Sequence, residues 1–145
     1  MSVPPPPYAK TTQGRVLVMD YEVIIRRLAQ EGLSQFGYEV TCVSDGEKAI
    51  EAHGQAFDTD VRFDVVVMDL TIPGGMGGRE TMPVLRKIDP TAQVIVSSGY
   101  ANDPLMVNYL EHGFVDRMAK PYRIKEMVDM VRQVMHNHQE EGKTL

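Results

Sequence analysis

Residues 63–78, FDVVVMDLTIPGGMGG, decide the architecture. Val65, Val66, Val67 and Met68 form a short unbroken apolar run rich in β-branched residues, which reads as a strand buried on both faces of a parallel sheet. Asp69 closes the run. In open α/β sheets the functional crevice lies outside the carboxyl ends of the strands, so an acid placed where a buried strand stops is delivered to that crevice. Pro73 and Gly74-Gly75 then predict a turn, and Gly77-Gly78 keep side chains out of the way. Taken alone, Asp69 has a simpler reading as a residue that merely ends a strand. The flanking sequence argues against it.

The same pattern recurs on both sides. Arg15 to Met19, RVLVM, is a second apolar run ending in an acid, Asp20, with Glu22 two residues on. Ile25, Leu28, Ala29, Gly32 and Phe36 then recur at helical spacing, and Gly37 supplies a stop. Tyr38 to Val43 predicts the next strand. Ser44-Asp45-Gly46-Glu47 has the S-x-x-E form of a capping box, opening a helix to about Gln55, and residues 56–62 read as a polar loop. Beyond Asp69 a helix is predicted over 78–88, with Pro83 either in its first turn or kinking it. Gln93 to Ser97 is a fourth strand, ending in hydroxyls at Ser97 and Ser98. Asp103-Pro104 makes an N-cap and first helical position for a helix to His112, closed by Gly113. Phe114 to Ala119 is a fifth strand, interrupted by Asp116 and Arg117 and ended by Lys120-Pro121. The last helix carries Ile124, Met127, Val128, Val131, Val134 and Met135 on one face, a core stripe.

Composition narrows the class. A chain of 145 residues, 43% hydrophobic and 24% charged, suits one globular domain with a sizeable core. A net charge of -5 argues against a nucleic-acid surface, which needs clustered Lys and Arg. Arg26-Arg27 and Arg86-Lys87 read as solvated helix faces. The single cysteine, Cys42, in a chain with no signal-peptide pattern or long apolar run, predicts a reducing cytoplasm and no membrane segment; Cys42 itself reads as an inert buried thiol. His53, His112, His136 and His138 lack metal-ligand spacing and read as surface residues. Residues 1–14, with Pro4 to Pro7, predict a Pro-rich linker arm, 15–136 the domain, and 137–145 a flexible tail.

Five strands alternating with five helices imply an α/β, doubly wound parallel sheet. Its strand ends then gather Asp20 with Glu22, Asp69, Ser97 and Lys120 along one edge. Their chemistry is complementary. Clustered carboxylates bind a hard divalent cation, and Mg²⁺ takes one or two carboxylates plus phosphate oxygens and water. An ammonium and a hydroxyl neutralise and orient a phosphoryl group, and a carboxylate can accept it.

These residues resemble a two-component response-regulator receiver domain, on the motifs VLVMDYE, VVVMDLTIPGGMGG, VIVSSGY and AKPY, over about residues 15–135. MDLTIPGGMGG with IVSSGYANDP is more narrowly similar to the C-terminal receiver modules of bacterial hybrid sensor histidine kinases, and the Pro-rich start would suit a linker from such a kinase. The resemblance implies a flavodoxin-like sheet of order 2-1-3-4-5. It makes Asp69 the phosphoacceptor and Asp20 part of an acidic pair. Ser97 would contact the phosphoryl group, Lys120 would pair with it, and the Thr71 backbone carbonyl would be a ligand of Mg²⁺. The Lys120-Pro121 peptide is expected to be cis. Implied partners are a histidine kinase or a histidine phosphotransfer protein, with a homodimer through the last strands and helices as an open assembly. Output is expected to pass through a partner or an upstream domain.

Two positions depart from the family pattern. The second acid is replaced by Tyr21, a poor ligand for a hard cation, so Mg²⁺ binding should weaken unless Glu22 substitutes. Arg117 stands where many members place an aromatic switch residue; it either pairs with Asp116 or Glu111 or remains an exposed edge-strand charge. The leading expectation is a phosphorylation switch that turns over no substrate of its own. The alternatives are a degenerate receiver that binds a partner without phosphorylation and, more remotely, an aspartyl-phosphate phosphohydrolase, in which Thr71 would stand where a second acid is wanted. A flavin carrier is weaker still, because no phosphate-binding loop follows the first strand.

Overall fold

The computed structural model describes residues 12–143, with side chains through residue 138; the predicted Pro-rich arm lies mostly outside the described residues. The elements run β1 (Gly14–Met19), α1 (Val23–Gln35), β2 (Tyr38–Val43), α2 (Gly46–Phe57), β3 (Val65–Asp69), α3 (Gly78–Ile88), β4 (Val94–Ser98), α4 (Pro104–Val107), β5 (Asp116–Ala119) and α5 (Ile124–Lys143). All strand pairs are parallel, in the order β2-β1-β3-β4-β5. This is the flavodoxin-like, doubly wound sheet implied by the sequence.

Strand alternation explains the layering. Val16, Val18, Val65, Val67, Ile95 and Met118 point to one face, where Ala29 and Leu33 of α1 and Met127, Val128 and Val131 of α5 cover them. Leu17, Met19, Val66, Met68, Val94 and Val96 point to the other, against Ala49 of α2, Met82 and Leu85 of α3, and Phe114. Each buried branched side chain contributes roughly 1.5–3 kcal/mol. β3 is buried over its whole length because it lies at the centre, whereas the edge strands β2 and β5 alternate with exposed residues.

Several local expectations are corrected. α2 is capped by Asp45, which accepts from the Lys48 N–H at 3.0 Å, rather than by the Ser44/Glu47 box, and the helix runs on to Phe57. Pro83 lies beyond the first turn, on the exposed side of α3, where its missing N–H leaves the Arg79 carbonyl without its helical donor. The helix begun by Asp103 and Pro104 is a single turn ending at Val107, followed by turns to Gly113. α5 extends to Lys143, so most of the expected tail is helical backbone. Leu28 and Phe36 are exposed, not core. Arg86 is not a solvated charge: its guanidinium donates to the carbonyls of Pro90, Ala92 and Gly113 at 2.9, 2.9 and 2.7 Å.

His53 is the clearest correction. It is 2% exposed, and its Nε2 lies 2.9 Å from Oδ2 of Asp89, 36 residues on. Its ring also stacks on Phe63, with centroids 6.0 Å apart. Among the described residues no helix is long and apolar enough to cross a membrane.

Candidate functional site

The carboxyl ends of β1, β3, β4 and β5 converge on a cleft of about 300 Å³ whose walls include Asp69, Glu22, Thr71, Ser98 and Lys120. Four of the site residues stand at strand boundaries. Asp69 is the last residue of β3 and Ser98 of β4, while Asp20 and Lys120 directly follow β1 and β5. Backbone pairing fixes these ends against one another: the Leu70 N–H donates to Ser97 O at 2.8 Å and the Lys120 N–H to Ser98 O at 2.9 Å. The glycines after Asp69 let the chain fold back over it. A Cβ at Gly77 would come within 2.5 Å of the Leu70 carbonyl oxygen, and one at Gly78 within 3.0 Å of the Asp69 carbonyl oxygen.

One ammonium serves three acids. Lys120 Nζ lies 3.0 Å from Asp69 Oδ2, 3.1 Å from Asp20 Oδ2 and 3.8 Å from Glu22 Oε2. Asp20 and Asp69 are 2% and 4% exposed, whereas Glu22 projects into solvent. Asp69 Oδ2 also faces the Tyr21 N–H at 3.5 Å, and Asp20 Oδ1 accepts from the Glu22 N–H at 2.9 Å. Asp69 Oδ1 is the carboxylate oxygen that neither Lys120 nor the Tyr21 amide occupies.

Burial, and then the negative charge of Asp20, push the Asp69 pKa up, outweighing the Lys120 ammonium and the Tyr21 amide. Burial disfavours the charged form of Lys120, but Asp20 and Asp69 prevail and raise its pKa, so it stays an ammonium. The site as a whole is an anionic hollow with one fixed cation.

Two sequence expectations change here. Ser97 is fully buried, its Oγ has no hydrogen-bond partner, and it does not line the cleft. Ser98 does, with its Oγ accepting from the Tyr100 N–H at 3.0 Å. β4 ends at Ser98, one residue later than expected: Ser97 stands in its ladder opposite Asp69 and Met118, and Ser98, pointing to the other face of the strand, is the one that lines the cleft. Arg117 pairs neither with Asp116 nor with Glu111 through its guanidinium. Its Nη1 donates to the Met106 carbonyl at 2.6 Å, and the guanidinium lies 4.9 Å from the Tyr109 ring centroid. Cys42 is half-buried, its Sγ 3.4 Å from the Arg26 carbonyl oxygen; burial raises its pKa against the opposing charge of Arg26, which fits an inert thiol. The Lys120–Pro121 peptide is cis.

The residues present fit a hard cation of few protein ligands. Among the described residues no group of three or more His, Cys, Asp or Glu side chains is set to hold a metal ion. Asp20 and Asp69 nevertheless converge on one ammonium and repel one another, which is the environment of a cation completed by water and phosphate oxygens. The Tyr21 side chain is 53% exposed and brings no charge to this hollow.

Comparison with known proteins agrees with the geometry. A family profile described as the response regulator receiver domain matches residues 16–132. The chemotaxis protein CheY of Thermotoga maritima is 28% identical over 121 residues, covering 83% of this chain and 96% of that protein. Sporulation initiation phosphotransferase F of Bacillus subtilis is 29% identical, over 83% of this chain and 93% of that one. The crystal structure of the receiver domain from the hybrid histidine kinase CckA superposes with a TM-score of 0.67 at 29% identity, covering 84% of this chain and 99% of that one. Of some longer relatives, transcriptional regulatory proteins by name, the chain spans only about half, 52% and 53%.

Proposed function

The chain belongs to the response regulator receiver domain family, and from that premise we propose that it accepts a phosphoryl group on Asp69 from a phosphohistidine of a kinase or phosphotransfer protein. The observation that carries this reading is the Asp69 carboxylate itself. One oxygen is held by Lys120 and the Tyr21 amide, which leaves Oδ1 as the nucleophile. In the transfer, an O–P bond forms at Oδ1 while the P–N bond to the donor histidine breaks, the electron pair leaving with the imidazole nitrogen. Lys120 neutralises charge on the phosphoryl oxygens, and Ser98, on the cleft wall, donates its hydroxyl to one of them. Asp20, Asp69 and the Thr71 carbonyl would hold Mg²⁺, with Glu22 in place of the acid that Tyr21 lacks. The bound cation supplies further charge neutralisation at the phosphoryl group.

The product is a mixed anhydride at the end of a central strand, and its new charge lies among α1, the loop after β4 and the Lys120 turn. That surface is the signal, in a cytoplasmic phosphorelay without substrate turnover. A hybrid histidine kinase as the parent protein is supported by the motif resemblance and by the CckA likeness.

The test is incubation with acetyl phosphate and Mg²⁺ followed by intact mass, on this chain and on Asp69→Asn. One added phosphoryl group, absent from the variant, is expected. A second reading, a receiver that binds its partner without phosphorylation, is favoured by the uncharged Tyr21 beside Asp20. It is the outcome if the folded protein gains no mass at high Mg²⁺.

A further inference from the structure

Two exposed aromatic residues stand beside Asp69, one from each neighbouring strand. β1 and β4 are the strands that flank β3 in the sheet. Tyr21 comes two residues after the end of β1 and Tyr100 two residues after the end of β4, and both line the cleft of about 300 Å³ that Asp69 also lines. Their backbones are tied to the site itself: the Tyr21 N–H faces Asp69 Oδ2 at 3.5 Å, and the Tyr100 N–H donates to Ser98 Oγ at 3.0 Å. The two residues are 53% and 69% exposed.

Core packing does not account for rings so placed. A lone apolar side chain in solvent, such as Val61 or Leu110, is ordinary. Two aromatic residues on the walls of one charged cleft are not, because a ring left open to water keeps its face for a ligand. The remainder of that cleft is an anionic hollow with one fixed ammonium, Lys120. It suits a ligand with two parts: a phosphoryl group for Lys120 and Asp69, and a flat ring of positive character for the tyrosines and the surrounding acids.

A phosphorylated imidazole has both parts. As the O–P bond forms at Asp69 Oδ1 and the P–N bond breaks, the electron pair stays on the ring nitrogen, and a proton already on the other nitrogen lets the imidazole depart neutral. Before transfer that protonated ring is a cation, which a tyrosine face attracts. We propose that Tyr21 and Tyr100 receive the donor imidazole between them and so determine the specificity of this site for phosphoryl donors that carry a ring. The inference rests on the phosphoacceptor reading of Asp69, and it gives the uncharged residue beside Asp20 a role of its own.

The experiment measures adduct formation by intact mass, at saturating Mg²⁺, with phosphoimidazole and with phosphoramidate, whose P–N bond carries no ring. The ratio of the two rate constants cancels any loss that affects both donors, a weakened cation site included. In the full chain carrying Tyr21→Ala and Tyr100→Ala together, that ratio should fall about three- to tenfold, the weight of aromatic contacts with one small ring. The corresponding double phenylalanine variant, which keeps both rings, should hold the ratio of the unmutated chain. An unchanged ratio in the double alanine variant overturns the proposal, and so does an equal fall in the phenylalanine variant, which would assign the effect to the hydroxyls. If neither donor adds a phosphoryl group to the folded, unmutated chain, the phosphoacceptor reading falls and this inference with it; modification by phosphoramidate keeps that reading whatever the tyrosines do.

Discussion

The ammonium of Lys120 lies 3.1 Å from Oδ2 of Asp20 while also reaching Asp69 at 3.0 Å. A single cation is thereby asked to offset two buried carboxylates, and Asp69 remains reluctant to ionise despite it. Charge imbalance of this kind is unfavourable for folding and useful for binding a divalent cation with a phosphoryl group.

Replacing Lys120 by methionine tests the imbalance. With no ammonium, two buried carboxylates face one another uncompensated, and stability at neutral pH should fall by about 3 kcal/mol. The sign with pH follows from the raised pKa of Asp69. A carboxylic acid whose folded pKa exceeds its unfolded value is tolerated when protonated and penalised once pH rises through the folded value. Urea unfolding of Lys120→Met should accordingly show a partial recovery on acidification toward the carboxylate range. A deficit that stays constant with pH would mean the lysine acts by packing rather than by charge.

Asp69→Asn should move stability the other way. Burial and Asp20 both oppose the Asp69 charge, so its favourable contribution exists below the unfolded pKa of about 3.9 and is lost as pH rises through the elevated folded value. At neutral pH the neutral amide removes that penalty, for a gain of about 1 kcal/mol and a rise in Tm of about 2–4 °C. Calorimetry on the two proteins decides it, and a lower Tm for the variant would contradict the charge argument.

What could be read from the chain depended on how local the deciding physics was. β3 with Asp69 was legible because an unbroken Val-Val-Val-Met run carries its own burial, and the Asp20 and Lys120 positions follow the same logic at neighbouring strand ends. The hydroxyl on the cleft wall is one residue from the expected one because Ser97 and Ser98 are chemically identical and only the alternation of side chains along β4 separates them. The start of α4 was visible in Asp103-Pro104, but its end was not. Arg117, in another strand, engages the Met106 carbonyl, a tertiary contact with no local signature.

That contact makes a third prediction. Arg117→Ala removes both the bond to Met106 O and the cation–π contact with Tyr109, which together tie β5 to the segment after β4. Because Arg117 is an exposed residue on an edge strand, the global cost should be only about 0.5–1 kcal/mol. The local effect is larger: amide hydrogen exchange at residues 106–109 should accelerate while the β3 amides keep their protection. Uniform acceleration across the sheet, or none at Met106, would refute a local tie.

His53 and Asp89 supply the last prediction, away from the cleft. Asp89 is 7% exposed, and burial would raise its pKa, but the hydrogen bonds from His53 and Thr91 outweigh burial and hold it below the usual carboxylate value. Such a group contributes stability above the unfolded pKa of about 3.9 and loses it as pH falls through the lowered folded value. His53→Phe keeps the ring that stacks on Phe63 while removing the nitrogen 2.9 Å from Asp89. The variant leaves a buried carboxylate with Thr91 alone as its side-chain partner, and the expected loss at neutral pH is about 1–3 kcal/mol. The gap between the two proteins should narrow as pH falls below about 3.9, and it closes only once pH has fallen through the lowered folded value of Asp89 and the carboxylate is protonated in both. Chemical unfolding of both proteins across that range measures the gap directly. If it stays as wide in acid as at neutrality, the pair stabilises the α2–α3 contact through shape and stacking, and the ionised Asp89 is not its source.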